Sequence, residues 1–329
     1  MTAARPGPPR APKPFGHVPL ATGPLDRAAH HLLGHQRYAP DRLAGHIAGT
    51  LEALTPIHIG TGRIERTARV MPAIGEEAPP LVYAHLRVAG TPVLPGSALK
   101  GTVRAVVEAI TASCLGARGR LTTLGAAQAE LEPCPRRNRA RDEQYCLACR
   151  LFGALGYAAR LHFADAFWPG ATQLHRAPAL PPARAARPGA LPGRRFYQHG
   201  APAPGPVPLE VCPPGARFPL RIDFHNLAPA ELGVLLVALG QAEPAFCLKL
   251  GGYKPACLGS VRLAIHAVVL DDPRQRALAY VASPDGPVAS WTEYVAAAFE
   301  HGLIDRARLQ RLAEILRYPR EGPCPSGPY

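Results

Sequence analysis

The sequence predicts an α+β fold, a ferredoxin-like βαββαβ core carrying large insertions. Three observations predict it. Strand and helix candidates between residues 45 and 270 follow the order strand, helix, strand, strand, helix, strand, which is the order of a split βαβ arrangement. Hydrophobic residues make up 47% of the 329, enough for a sizeable core and too many for a disordered chain. Pro and Gly number 39 and 32, so turns and irregular connections separate the regular elements.

The first strand candidate is GHIAGTLEALTPIHI, Gly45 to Ile59, where small and apolar residues alternate before Gly60-Thr61-Gly62. Arg63 to Thr91 follows without periodicity and reads as a long excursion, a length that in compact domains is usually functional or disordered. In PGSALKGTVRAVVEAI, Pro95-Gly96-Ser97 forms a turn and N-cap, and Leu99, Val103, Val106, Val107 and Ile110 recur at helical spacing. Lys100 and Arg104 share one face of that helix. Further strands are expected at Ala159–Trp168, Arg217–Phe224 and Ser260–Leu270, with a helix over Pro229–Gln241 and two amphipathic helices around Trp291–His301 and Asp305–Arg317. The last helix carries the stripe Leu309, Leu312, Ile315 and Leu316.

This divides the chain into an irregular leader (1–40), a main domain (41–270) and a C-terminal helical extension (271–329). The main domain carries insertions at 63–91, 114–150 and 170–208. Gly170–Pro208 holds nine prolines and five arginines and cannot be a central sheet element; an extended arm or disordered loop is expected there. The N-terminus lacks an apolar h-region, and the most apolar run, Leu232 to Leu239, is far too short to span a bilayer. A cytoplasmic protein without membrane contact is therefore expected.

Lys and Arg together number 37 against 24 acids, a formal charge of +13. That sign favours polyanionic partners, nucleic acid first. Three glycine turns lie beside cations: Gly60-x-Gly62, Gly96-Ser97-x-x-Lys100-Gly101 and Gly251-Gly252-x-Lys254. Exposed backbone N–H groups in such turns suit phosphate oxygens, although any one of them could serve backbone geometry alone. GSALKG lacks the GxxxxGK[ST] spacing, which excludes a Walker A nucleotidase. His58 on its strand and Asp165 beside Phe163 have packing or capping as their default roles.

Four of the eight cysteines, Cys114, Cys134, Cys146 and Cys149, fall in one polar segment whose core is C-x11-C-x2-C. This spacing suits a structural Zn²⁺ held by four thiolates. Arginines at 136, 137, 139, 141 and 150 favour the thiolate form. A disulfide pair or unrelated buried thiols are the competing readings. Cys114 closes a helix and His162 is its substitute as fourth ligand. Cys212, Cys247, Cys257 and Cys324 are expected to be core or surface thiols.

TPIHIGTG, TPVLPGSALKGTVRA, CLACRLFGALGYAARLHFADA and LKLGGYKPACLGSVRL resemble, in this order, the signature segments of the RAMP superfamily of CRISPR-associated proteins. The likeness is to backbone subunits of type III effector complexes, including zinc-bearing III-D-like forms. It implies an RRM-like domain that grips the phosphates of a CRISPR RNA. Carried over, Ser97, Lys100, Gly101 and Arg104 would hold the guide from the first helix. Gly251, Gly252, Lys254 and Gly259 match the glycine-rich loop, and His58, Gly60 and Gly62 the segment after the first strand. The excursion 63–91 would be a thumb wedging the guide–target duplex, with Met71 as the wedge. Complementary target RNA and other effector subunits are the implied partners.

Cleaving members of the family place an aspartate in that thumb, but Arg63 to Pro95 contains none; its acids are Glu65, Glu76 and Glu77. The resemblance thus points to a non-cleaving subunit in antiviral defence. Two alternatives are a metal-dependent endoribonuclease using Glu76 or Glu77 with Mg²⁺, and a zinc-bearing adaptor that binds protein.

Overall fold

The computed structural model describes residues 12–22, 25, 27, 37–75, 77–115, 131–134, 145–180, 193–272, 278 and 286–327. The strands, in chain order, are β1 (Phe15–Val18), β2 (Leu43–Ala53), β3 (Gly60–Arg66), β4 (Leu81–His85), β5 (Arg87–Val88), β6 (Thr91–Leu94) and β7 (Leu161–Phe163). They continue with β8 (Ala166–Phe167), β9 (Gln173–Ala177), β10 (Arg194–Tyr197), β11 (Val207–Val211), β12 (Arg217–Leu227), β13 (Leu248–Lys249) and β14 (Ser260–Leu270). The helices are α1 (Thr67–Val70), α2 (Gly96–Ile110), α3 (Leu147–Phe152), α4 (Pro229–Ala238), α5 (Thr292–Glu300) and α6 (Arg306–Ile315).

The main sheet has the order β13-β14-β2-β12-β7 with antiparallel neighbours throughout. Counting only the core strands β2, β7, β12 and β14 as first to fourth, this is 4-1-3-2, with α2 and α4 as the two crossovers. That is the split βαβ topology the element order predicts. Alternation explains which face is inward. Phe218, Leu220, Ile222 and Phe224 of β12 are buried while Arg217, Pro219 and Arg221 are exposed, and Ile222 lies opposite Ile47 of β2. The inner face packs on the α2 stripe Leu99, Val103, Val106, Val107 and Ile110. The expected second strand, Ala159–Trp168, breaks into β7 and β8 around Asp165. That carboxylate accepts a hydrogen bond from the Gly96 N–H (2.8 Å), so the first helix is capped from β7–β8 rather than by Ser97.

The long first strand expected to run to Ile59 ends at Ala53, because Pro56 interrupts it and the chain crosses into β3. The excursion after it is an ordered hairpin of β3 and β4, in which Ile64 lies opposite Tyr83. It continues through β11 and β9 into a four-stranded sheet. The ends of the Pro-rich segment therefore supply β9, β10 and β11, while 181–192 lie outside the described residues. A second small core of Ala177, Leu209, Val211, Ala256 and Leu258 fixes this sheet to the chain around residue 254. The leader is not wholly irregular, since β1 pairs antiparallel with β10.

Both C-terminal helices pack onto the core. The α6 stripe Leu309, Leu312, Ile315 and Leu316 is buried, and α5 lies so close to α4 that a Cβ on Gly233 would stand 1.8 Å from the Tyr294 carbonyl oxygen. The expectation that Cys257 and Cys324 are separate thiols is corrected: they form a disulfide that ties the C-terminal tail to the turn after Lys254. Sixty-seven positions separate them, and no local spacing signals the pair.

Candidate nucleic-acid interface and metal centre

Helix α2 presents two stripes. Ser97, Ala98, Gly101, Thr102 and Ala105 face a cavity of about 350 Å³ whose opposite wall includes Arg195, Lys249, Gly251 and Lys254. A second, more open trough of about 540 Å³ runs past His58, Gly60, Gly252 and Tyr253, and shares Ala98 and Gly251 with the first. Among the described residues no carboxylate lines either one. The walls approach closely because of two glycines. Gly251 has φ +82°, a Cβ there would stand 2.4 Å from the His58 carbonyl oxygen, and the Gly252 N–H donates to that oxygen (2.8 Å). Gly259 has φ +77°, and a Cβ there would meet the Leu250 carbonyl oxygen at 1.9 Å. Any other residue at either position would carry backbone strain and a steric clash.

His58 is buried, and burial holds its pKa below the usual value. Its Nδ1 lies 2.8 Å from the Glu210 carbonyl oxygen. A neutral ring facing a carbonyl donates from Nδ1, which leaves Nε2 as an acceptor on the trough side. Behind it, Glu210 is fully buried and its carboxylate is held by Arg87, the Thr172 hydroxyl and the His85 N–H. His85 is driven down to about 3 by burial, with the neighbouring His58 adding to the effect.

The expected groove residues therefore divide. His58, Gly60, Ser97, Gly101, Gly251, Gly252 and Lys254 converge, and Gly259 shapes the loop from behind. Gly62 lies on β3 with φ +76° and open space around it. Lys100 and Arg104 are not in the groove. They occupy the other stripe of α2, as the 3.6-residue period requires. The Lys100 ammonium donates to the Leu161 carbonyl oxygen (3.1 Å), and burial lowers its pKa. Arg104 donates to Glu108 (2.7 Å), to the Gly153 carbonyl (2.9 Å) and to the Cys149 sulfur (3.5 Å). Met71 is buried at 6% exposure and cannot wedge into a duplex. The exposed apolar residues of that hairpin are Ile64, Leu81 and Tyr83. Glu77 is exposed, and Glu76 lies outside the described residues.

The second α2 stripe leads to the cysteines. Cys114, Cys134, Cys146 and Cys149 are buried with all four sulfurs within 4.8 Å of one another. Cys114 lies 3.5 Å from Cys149 and 3.6 Å from Cys146, sulfur to sulfur. A tetrahedron with metal–sulfur bonds of about 2.3 Å has edges of about 3.8 Å, so this set fits an ion with little movement. Sulfur–sulfur hydrogen bonds hold Cys146 and Cys134 below the ordinary thiol pKa while pushing Cys114 and Cys149 above it. All four become anionic together only around a cation. His162 is no substitute ligand. It is exposed on β7 and lies 3.7 Å from Asp223. Of the nearby arginines, Arg150 donates to the Tyr145 carbonyl and faces Glu231, while 136, 137, 139 and 141 lie outside the described residues. Arg104 and Arg27 reach the sulfurs instead, the latter donating to Cys134 at 3.1 Å.

A family model of the RAMP superfamily matches residues 50–254, a span that contains α2, the four cysteines and both walls of the trough up to Lys254. The chain belongs to the RAMP superfamily. Membership carries a CRISPR-associated, RNA-binding role. No curated protein matches the chain. Among the described residues of this RAMP protein, no helix is long and apolar enough to cross a membrane.

Two groove residues escape a reading of the RAMP protein's sequence. Arg195 belongs to a Pro-rich stretch that resembles a linker, yet β10 alternation turns Arg194 toward Glu108 (2.5 Å) and Arg195 toward the cavity. Lys249 is embedded in the apolar run LKLGG and is 5% exposed. A lone lysine inside a hydrophobic strand that leads into a glycine turn was the available signal.

Proposed function

We propose that this protein is a backbone subunit of a type III, III-D-like CRISPR ribonucleoprotein in antiviral defence. In this reading it holds guide RNA in the trough between α2 and the glycine-rich loop. The observation that carries the reading is the convergence of three chain segments, His58–Gly60, Ser97–Gly101 and Gly251–Lys254, on two adjoining concavities, the first lined by Arg195, Lys249 and Lys254 and neither lined by an acid among the described residues. Backbone N–H groups and cations at glycine turns bind phosphate without reading sequence, leaving sequence recognition to base pairing. The acceptor Nε2 of His58 suits a ribose 2′-hydroxyl, the group that distinguishes RNA from DNA. The wedge role passes from Met71 to the exposed face of Ile64, Leu81 and Tyr83, which would meet the guide–target duplex. Cys114, Cys134, Cys146 and Cys149 would hold a structural Zn²⁺, a closed site that cross-links α2 to α3 and supplies folding energy rather than chemistry. Complementary target RNA and other effector subunits are the partners.

Expression with a native repeat array, followed by extraction and sequencing of copurified RNA, tests this reading. Guide-length RNA with a constant repeat-derived part is expected. Protein that emerges free of nucleic acid, and that binds guide RNA no more tightly than DNA of the same sequence, would overturn it.

A further inference from the structure

The ribbon formed by β1 and β10 has two unlike faces. Directly opposed residues of an antiparallel pair share a face. The register therefore places Gly16 with Phe196 and Val18 with Arg194 on one side, and Phe15 with Tyr197 and His17 with Arg195 on the other. The first side is turned inward. Val18 and Phe196 are buried, Arg194 pairs with Glu108, and a Cβ on Gly16 would stand 2.7 Å from the Ile315 side chain, so the ribbon lies directly on α6. The second side interleaves rings with cations. The Arg195 guanidinium lies over the Phe15 ring, 4.3 Å from its centroid, and the Lys13 amine lies 5.5 Å from the same centroid. Tyr197 and His17 stand edge-to-face with Phe15 at 6.1 and 5.3 Å. Phe15 is consequently only 7% exposed, whereas Arg195 above it is exposed and Tyr197 beside it is half-buried. Cations gather here: burial lowers the pKa of His17, and Arg195, Lys13 and Arg311 each add to the effect, Arg311 also being paired with Glu314 (2.9 Å).

A guanidinium seated on one ring keeps its outer side as a platform for a second π-system. Cations set among aromatic rings are also how proteins hold single-stranded nucleic acid without reading its sequence. Position selects the ligand. Arg195 and Tyr197 belong to the wall of the cavity that faces α2, so a strand leaving that cavity over β10 meets this face. The ring beneath Arg195 comes from β1, which precedes the stretch 50–254 matched by the family model. We infer that Arg195, seated on Phe15 and flanked by Tyr197, is a ledge on which one base of a single-stranded RNA stacks. The inference rests on the RNA-binding reading above and adds to it a contact with a base instead of the backbone. Because every base has a π-face, the ledge accepts all four.

The test compares the full chain with Arg195→Lys on two ligands at low salt: a single-stranded oligoribonucleotide, and an abasic strand of the same length that keeps every phosphate. Lysine preserves the charge and removes the planar group, and the exposed position leaves melting at the wild-type value. On the intact strand Arg195→Lys should weaken binding about tenfold, within the range for one stacked base, with an unaltered salt slope. On the abasic strand it should cost nothing. An oligoribonucleotide carrying fluorescent 2-aminopurine gives a direct readout of stacking, and its quenching at saturation should be weaker with Arg195→Lys. Equal binding of the intact strand by both proteins, or an equal loss on both ligands, would overturn the ledge and leave the RNA-binding reading standing. A wild type without affinity for either strand would overturn both. Arg195→Lys that keeps its RNA affinity but loses a copurifying protein would overturn the ledge and make the ribbon a protein-docking face.

Discussion

The two stripes of α2 are a few ångströms apart and serve regions built on opposite principles. On one side Lys100, Arg104 and Glu108 are fully engaged: an ammonium on a carbonyl, a guanidinium on a carboxylate and a sulfur, a carboxylate between Arg104 and Arg194. On the other side Ser97, Gly101 and Thr102 face a cavity whose opposite wall carries Lys249, Lys254 and Arg195. Positive charge therefore has two meanings within one helix. Beside the cysteines it balances sulfur that the fold has already brought together. Beside the glycine loop it lines a cavity, where the RNA-binding reading would place a phosphate.

The comparison is broken most severely on the sulfur side. Cys146→Ser should remove the bound metal and leave the chain unfolded or strongly destabilised, since metal binding at a four-thiolate site is folding free energy. Metal content and thermal melting read this directly, and full metal content in the variant would exclude Cys146 as a ligand. The groove side is held instead by the Cys257–Cys324 clasp. For a separation of 67 residues, loop-closure entropy assigns the bond about 4 kcal/mol, so Cys324→Ser should lower melting by several degrees. Melting that is identical with and without reductant would show the clasp absent in solution.

Acid should act on the groove side next. His85 and His199 are held near 3 in the folded protein, against an ordinary 6.5. Between those values unfolding takes up a proton at each, so their contribution is fully present above pH 6.5 and is lost as pH falls toward 3. The slope is at most about 1.4 kcal/mol per pH unit per histidine. Denaturant midpoints measured from pH 7 to 4 check this, and a flat profile would mean that neither ring is held neutral.

Smaller effects sharpen the division. Arg104→Gln should lower metal affinity about 10- to 100-fold, as loss of a group bonded to a ligand typically does, and leave RNA binding within twofold. Lys254→Ala should weaken RNA binding about tenfold for every guide sequence and flatten its salt dependence. Lys100→Ala should leave RNA binding unaltered. An equal loss from Lys100→Ala and Lys254→Ala would merge the two stripes into one surface.

The core topology was legible because its strands alternate cleanly and α2 carries a strong apolar stripe, so order alone gives 4-1-3-2. The groove was half legible. Glycine turns announce close backbone approach, and all three proved to lie near one another. Which face Lys100 and Arg104 take could not be read from composition, because a helix of this kind is flanked on both sides and spacing places them on a stripe without saying what the stripe meets. The β3–β4 hairpin hid because polarity does not follow burial in it: β4 alternates exposed Leu81 and Tyr83 with buried Val82 and Ala84, all apolar, and on β3 both Ile64 and Arg63 are exposed. Arg27 reaches Cys134 across 107 positions, and the disulfide spans 67. Long-range partners of that kind leave no local periodic trace.

Helix α4 draws these layers together. Every residue from Ala230 to Ala238 is buried, enclosed by the sheet, α2 and α5, with Gly233 admitting no methyl group on the α5 side. Its amides should exchange with solvent deuterium only when the whole molecule opens. Slowing at α4 on adding RNA would therefore record stabilisation of the entire chain, whereas slowing confined to residues 251–254 would record occupancy of the groove alone.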